Sequence, residues 1–186
     1  MKRNPLPDLK TYEFEEVAFN ELMRDRINKV LIVCSNYDFY MLEEDGRIDE
    51  RIFNEYTDLN LRYPPSFLHA NSAAQAIKLM RSDKIDLVIT WLDIGKYNAF
   101  ETSKQIKEAF PKVHIAAISH YSSELRKKVL NAQTGIIDAV FHWSGNVEIF
   151  LAIIKLAEDR MNAERDINEI GVKAILLVED SIRFYS

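Results

Sequence analysis

The chain has 186 residues, 47% hydrophobic and 28% charged, a balance that excludes a wholly disordered protein. Its net charge of −5 leaves no broad basic field for nucleic acid, and its one cysteine, Cys34, excludes an intrachain disulfide and a multi-cysteine zinc site. Five glycines and five prolines are too few for a collagen-like or low-complexity chain. We therefore expect one folded domain plus a remainder that needs its own explanation.

The first residues of the chain carry no export signal. No apolar run follows the pair Lys2-Arg3, and no apolar stretch approaches the ~20 residues that cross a bilayer. We expect a cytoplasmic protein that has neither a membrane nor a nucleic acid as partner.

Short apolar segments then alternate with amphipathic ones. Residues 1–26 form an N-terminal extension, with a short helix predicted over 15–26 after Pro5 and Pro7. The apolar segments are short and rich in β-branched residues, as in strands buried on both faces. The predicted strands are residues 30–34, 66–69, 87–92, 113–119 and 136–143. The predicted helices are residues 48–60, 72–80, 99–110, 123–132 and 146–170.

This alternation predicts an α/β protein with a five-stranded parallel sheet, right-handed crossovers and helices on both faces. The sequence does not give the strand order. Residues 36–47, after the first strand, are interpreted as a long loop that covers the edge of the sheet or meets a partner.

The last helix is predicted to continue beyond the domain. Residues 157–170 are mostly charged, which is typical of a solvated linker. A further buried-type strand, residues 174–178, is followed by Glu179 and Asp180. The predicted organisation is an extension (1–26), a domain (27–156), a helical linker (157–170) and the start of a second domain (171–186).

The segment 174–181, with Glu179 and Asp180 after its strand, resembles the start of a response-regulator receiver domain. In that family, an acidic pair at the end of the first strand binds magnesium. DLVITWLDIGKYNAFE (86–101) resembles the family's third strand and third helix, and GIIDAVFHWSGN (135–146) resembles its fifth strand and the loop after it. The resemblance implies that residues 27–156 have the flavodoxin-like receiver fold and that residues 171–186 begin a second receiver.

The same resemblance implies that the first receiver has lost its chemistry. Phosphoryl transfer in the family needs an aspartate nucleophile, an acidic pair for Mg²⁺, a hydroxyl and a lysine. The acidic pair is replaced by Cys34 and Ser35, the acceptor by Trp91 and the lysine by His142, while the hydroxyl is kept as Ser119. We interpret residues 27–156 as a pseudo-receiver, a receiver-like domain that is not phosphorylated in the family's way.

Several alternatives stay open at this stage. Asp93, two residues beyond Trp91, is an alternative phosphoryl acceptor, and with Asp38 it would gather a cation. Cys34 with His120 and His142 has the ligand types of a zinc site, against an inert buried thiol and ordinary histidines. A small-molecule sensor is a further alternative, because open α/β sheets bind ligands at the carboxyl ends of their strands. Trp91 and Trp143 are interpreted as an aromatic plug in the former phosphate pocket.

A second resemblance extends over the whole chain. NPLPDL (4–9), SNYDFYMLEEDGRID (35–49), NLRYPP (60–65) and ILLVEDSIRFYS (175–186) resemble the N-terminal region of large proteins of the phosphoenolpyruvate synthase or pyruvate phosphate dikinase type. It implies a regulatory module without catalysis, cofactor or metal of its own. Its partners would be proteins or other domains of the same chain. The receiver resemblance would place the contact face on residues 122–131 and 147–170, with a homodimer through the long last helix.

Overall fold

A computed structural model of the chain describes residues 23–44, 46–92, 99–119, 135–143 and 145–172. Five strands lie in these ranges: β1 (Lys29–Val33), β2 (Ser66–Ala70), β3 (Leu87–Trp91), β4 (His114–Ser119) and β5 (Ala139–His142). The described helices are α1 (Asn36–Leu42), α2 (Ile48–Asp58), α3 (Ala73–Ser82), α4 (Ala99–Ala109) and α5 (Glu148–Asn168). The predicted helix 123–132 and the predicted strand 174–178 lie outside the described residues.

The five strands form one parallel sheet in the order β2-β1-β3-β4-β5. This is the doubly wound order in which the chain first moves to one edge and then returns past β1 to the other. Every residue of β3, at the centre, is buried, which explains its continuous apolar sequence. The prediction of a five-stranded parallel α/β sheet is confirmed.

Side chains that alternate along the strands divide the core into two layers. Ile32, Ile89 and Ile118 belong to the layer under α1, α2 and α5. Leu31, Val88 and Ile115 belong to the layer under α3 and α4. Helices therefore cover both faces of the sheet, as predicted, and leave the amino and carboxyl ends of the strands uncovered by these layers.

The prediction of a long loop over residues 36–47 is wrong, because most of it is the helix α1. Ser35 caps this helix: its Oγ accepts a hydrogen bond from the backbone N–H of Asp38 at 3.1 Å. Leu42 is buried and Phe39 packs on the same core layer, three residues apart. Tyr37 and Tyr40 stay 69% exposed, and these outward aromatic residues hid the inward helical spacing from the sequence pattern.

Residues 157–168 are helical as predicted, but the prediction of a mostly solvated rod is wrong for one face of α5. Glu158, Asn162 and Asp166 are buried there. They accept hydrogen bonds from the backbone N–H groups of residues 27, 25 and 23, which lie against the helix. Residues 23–26 therefore are not helical, whereas the rest of the helix predicted over 15–26 lies outside the described residues.

The turn from β5 into α5 uses a glycine and an asparagine. Gly145 has a φ of +89°, a conformation that is strained for other residues. Asn146 Oδ1 then accepts a hydrogen bond from the N–H of Glu148, the first residue of α5, at 3.0 Å. None of the described helices combines the length and the apolar character that crossing a membrane requires.

Candidate functional site

Five predicted site residues lie where the carboxyl ends of the strands meet, which we call the carboxyl edge of the sheet. Cys34 and Ser35 directly follow β1, and Trp91 ends β3 beside it. Ser119 ends β4 opposite His142, the last residue of β5. Asp93, His120, Glu179 and Asp180 lie outside the described residues, so their predicted roles stay predictions.

Cys34 is a buried core residue. Its backbone N–H donates to the carbonyl of Ala70 at 3.2 Å, and its side chain is fully enclosed in the layer under α2 and α5. Burial, and then the nearby charge of Asp38, raises the pKa of the Cys34 thiol from 9.0 to about 12. The thiol therefore stays protonated at neutral pH, which disfavours both nucleophilic attack and metal binding by this sulfur.

Ser35 and Asp38 bond to each other rather than to a ligand. The Ser35 hydroxyl donates to Oδ2 of Asp38 at 2.6 Å while it accepts from the Asp38 backbone N–H. The two residues thus form a reciprocal cap at the start of α1. This arrangement explains the serine after β1 and engages the Asp38 carboxylate that the alternative cation site would need.

The described residues give no geometry for a metal site. Within the five described ranges, no three His, Cys, Asp or Glu side chains are grouped closely enough to hold a metal ion. The zinc alternative depends on His120 and the cation alternative on Asp93, which both lie outside these ranges.

His69 is a residue of this edge that the sequence analysis missed. Its ring stacks on Phe39 of α1, with centroids 4.1 Å apart and planes 12° from parallel. Its Nε2 lies 3.1 Å from the carbonyl oxygen of Cys34, and because a carbonyl only accepts, this nitrogen carries the proton. His69 therefore ties β2 to the end of β1. The detectable signal was a histidine at the end of a predicted strand.

Thr90 is a second residue that the sequence analysis missed. It is buried in β3, and its hydroxyl donates to the carbonyl of Val33 at 3.0 Å. This bond joins the ends of the two central strands next to Trp91. No polar pattern in LVITWL distinguishes it from an ordinary strand threonine.

Trp91 fills the end of β3 from within the core. It is 3% exposed and lies in the same core layer as Leu87 and Ile89. Its ring centroid lies 5.5 Å from that of Trp143 and 6.3 Å from that of Phe150. The Trp143 and Phe150 rings also meet edge to face at 5.9 Å, so the three rings form one aromatic cluster.

The end of β5 completes this arrangement. The N–H of Trp143 donates to the carbonyl of Ser119 at 2.8 Å, which carries the parallel ladder one residue beyond the strand. Ser119 is buried, whereas His142 and Trp143 are half-buried. Phe150 of α5 closes the cluster from above, a role that its helical spacing alone did not reveal.

A cavity of about 370 Å³ lies at this edge between α1, α2 and the strand ends. Trp91 and Trp143 form part of its wall, and Asp38 and Arg51 are the charged side chains among its described lining residues. The remaining described lining residues are Tyr37, Met41, Leu42 and Gly145.

Comparison with known proteins identifies the fold. No protein-family model and no curated protein matches the sequence. Among solved structures, the chain is similar to a CheY-like response regulator receiver domain protein from Methanospirillum hungatei JF-1, with a TM-score of 0.53 and 17% identity over 74% of this chain and 98% of that one. It is similar to a two-component response regulator from Clostridium difficile, with a TM-score of 0.51 and 20% identity over 73% of this chain and 98% of that one.

A third solved structure shows why this likeness is limited to the fold. A chain described as an adenylate cyclase from Rhodopirellula baltica matches with a TM-score of 0.52 and 11% identity, over 77% of this chain and 98% of that one. Proteins described by different activities thus share the architecture, so activity has to be argued from the site. The described part of the chain has the flavodoxin-like fold of CheY-like receiver domains.

Proposed function

We propose that this chain is a pseudo-receiver: a regulatory or interaction module with a receiver fold that works without phosphoryl transfer. The observation that carries the proposal is Trp91, at the end of β3, where the receiver resemblance expects the phospho-accepting aspartate. Its indole is 3% exposed and packs against Trp143 and Phe150. An indole is neither a nucleophile for phosphorus nor a ligand for Mg²⁺.

The end of β1 supports the same proposal. Cys34 and Ser35 stand where the resemblance expects two carboxylates, and neither is available for Mg²⁺. Burial keeps the pKa of the Cys34 thiol high, and Ser35 is engaged as the cap of α1. Mg²⁺ prefers hard, charged oxygen ligands, which a neutral thiol and a capping hydroxyl do not supply.

The aromatic cluster supports a module held in one conformation. A receiver that switches needs side chains near its acceptor that have two arrangements of similar energy. Here the end of β3 is packed by large rings in contact with one another, and the interior resists gradual rearrangement. We therefore propose that contacts with proteins or other domains do not depend on phosphorylation.

The partner surfaces and the larger context belong to this proposal as well. The proposed homodimer through the last helix rests on the length of α5. An apolar contact surface supports it little, because Ile167 is the one large exposed apolar residue of α5 within the described range. The contact face over residues 122–131 lies outside the described residues. The placement ahead of a phosphoenolpyruvate synthase or pyruvate phosphate dikinase type enzyme rests on the sequence resemblance alone.

Exposure to a small phosphoryl donor tests the proposal. The full chain is incubated with acetyl phosphate and Mg²⁺, and its intact mass is measured beside that of the variants Asp93→Asn and Asp38→Asn. We expect no phosphoryl adduct on any of the three. An adduct on the wild-type chain that disappears in Asp93→Asn would overturn the proposal in favour of Asp93 as acceptor.

A further inference from the structure

The cavity at the carboxyl edge has the volume of a small-molecule site and a wall that is partly aromatic. Its volume of about 370 Å³ falls within the range of roughly 300–1,000 Å³ that is usual for ligand pockets. Such pockets combine mostly apolar and aromatic walls with a few polar groups that orient the ligand. Here Trp91, Trp143 and Met41 supply apolar wall, while Asp38 and Arg51 are the charged side chains.

The two charged side chains among the described lining residues differ in what they already bind. Asp38 accepts the hydroxyl hydrogen of Ser35 at 2.6 Å and so has a partner within its own helix cap. The side chain of Arg51 makes no hydrogen bond or ion pair with any residue of the described ranges, although other arginine side chains do, such as Arg26 with Glu158 at 3.3 Å. A guanidinium carries five donors in a planar fork that matches a carboxylate or phosphate.

The aliphatic part of the Arg51 side chain packs against the protein. It lies on α2, half-buried, and its Cγ and Cδ atoms pass close to Gly46. A side chain of this kind buries its methylene stem and offers its head group to whatever lies beyond it. Arg51 is also one of the residues that line the aromatic cavity.

We propose that this cavity binds a compact organic anion with an apolar, ring-sized body. The anionic group would pair with Arg51, and the apolar body would lie against Trp91 and Trp143. The inference rests on the proposed function in one respect, because a site that accepts a phosphoryl group and Mg²⁺ would not leave this space to an organic ligand. It deepens that function by naming the chemical class of a ligand that this module would bind.

The chain carries its own reporter for this proposal. It contains two tryptophans, and both line the cavity. Any ligand that enters therefore changes the environment of an indole, and tryptophan fluorescence reports occupancy without a label. The signal has no background from tryptophan elsewhere in the chain.

The test uses three probes of similar shape: 3-phenylpropionate, its neutral alcohol 3-phenylpropan-1-ol and the cation phenethylammonium. Each is titrated into the full chain, with excitation at a wavelength that the phenyl ring does not absorb. We expect saturable quenching or a spectral shift with 3-phenylpropionate, and binding at least about tenfold weaker for the alcohol and the cation, since a charge-assisted bond to guanidinium is lost. Equal binding of all three probes, or no saturation with the acid at millimolar concentration, would overturn the proposal.

Two variants assign the anion to its proposed partner. Arg51→Gln should weaken 3-phenylpropionate binding about tenfold or more and leave binding of the alcohol unchanged. Arg47→Gln is the matched control, because its side chain is 68% exposed and lies outside the cavity lining, so it should bind as the wild-type chain does. If Arg51→Gln fails to fold, the comparison of acid with alcohol on the wild-type chain still decides the question.

The outcome is separable from that of the proposed function. A phosphoryl adduct seen by intact mass would refute the pseudo-receiver proposal whether or not the acid binds. Absence of acid binding would refute the ligand proposal and leave the evidence against phosphorylation unchanged.

Discussion

The carboxyl edge of the sheet and the polar row on α5, which consists of Glu158, Asn162 and Asp166, differ in the kind of side chain that they bury. At the edge of the sheet, the buried thiol of Cys34 and the buried indole of Trp91 stand at strand ends where the receiver resemblance expects charged groups. Along α5, the carboxyl side chains of Glu158 and Asp166 are buried, with the amide of Asn162 between them. The chain thus keeps buried carboxylates where they hold its own backbone.

The geometry of the α5 row explains how these acids are tolerated. Glu158, Asn162 and Asp166 are four residues apart, a rise of about 6 Å per step along a helix. They accept hydrogen bonds from the N–H groups of Ile27, Asp25 and Met23, which are every second residue of the segment 23–27. The two repeats match over three contacts, so each buried acceptor on α5 has a backbone donor.

Further hydrogen bonds involve the polar side chains of this row. Glu158 Oε2 also accepts from Lys155 Nζ at 2.8 Å and Arg26 at 3.3 Å. The Asn162 amide donates to the carbonyls of Asp25 and Glu158. Such partners offset the desolvation cost of a buried acid, and here the partners are part of the fold. The end of β3 at the carboxyl edge is packed with rings instead.

The largest expected effect tests the packed region. Trp91→Ala should lower the free energy of unfolding by about 3–5 kcal/mol, because it leaves a cavity beside Trp143 and Phe150. Trp143→Ala is the matched control: its side chain is half-buried, so a smaller loss is expected. Urea denaturation followed by far-ultraviolet circular dichroism measures both. Equal losses in the two variants would mean that Trp91 is not the enclosed member of the cluster.

The second effect tests the polar row. Glu158→Ala should cost about 3 kcal/mol, near the lower end for breaking a buried charge pair, because Lys155 and Arg26 are partly exposed and can regain water. Hydrogen exchange at the amide of Ile27 should become faster, since that N–H loses its acceptor at 3.0 Å.

Glu164→Ala on the exposed side of the same helix is the control for Glu158. It should change stability by less than about 0.5 kcal/mol. A Glu158 variant as stable as the Glu164 variant would show that the segment 23–27 is not held by this row, and the contrast between the two regions would disappear.

The two regions also differ in how far the sequence predicts them. The sheet was predictable because buried parallel strands leave continuous apolar runs, and the end-of-strand positions of Cys34, Trp91 and His142 follow from those runs. The strand order was not, because pairing between distant segments leaves no trace in a single sequence.

The polar row on α5 was misread for a physical reason. A charged residue is usually solvated, so residues 157–170 read as a linker. The acceptors of the row meet backbone N–H groups, which every residue carries, so no side-chain pattern in residues 23–27 marks the partner. The helix α1 was missed in a similar way, because Tyr37 and Tyr40 point outward and break the expected pattern.

The smallest expected effect concerns the pH dependence of the packed region. Burial raises the pKa of the Cys34 thiol from 9.0 in the unfolded chain to about 12 in the folded one. A raised pKa means that the unfolded chain loses this proton first as the pH rises. The thiol therefore favours folding fully below about pH 9, and that contribution declines between about pH 9 and 12.

Cys34→Ala isolates this dependence, because every other titrating group is common to the two chains. The difference in unfolding free energy between wild type and Cys34→Ala should be constant from neutral pH to about pH 8. By about pH 10 the difference should have shifted by about 1 to 2 kcal/mol against the wild type. At that pH the thiol is ionised in the unfolded chain and still protonated in the folded chain, and each pH unit above the unfolded pKa costs about 1.4 kcal/mol. A difference that stays flat across this range would show that the thiolate is tolerated at the end of β1. The carboxyl edge would then be open to charge in the way that the α5 row is, and the cluster of rings would not exclude it.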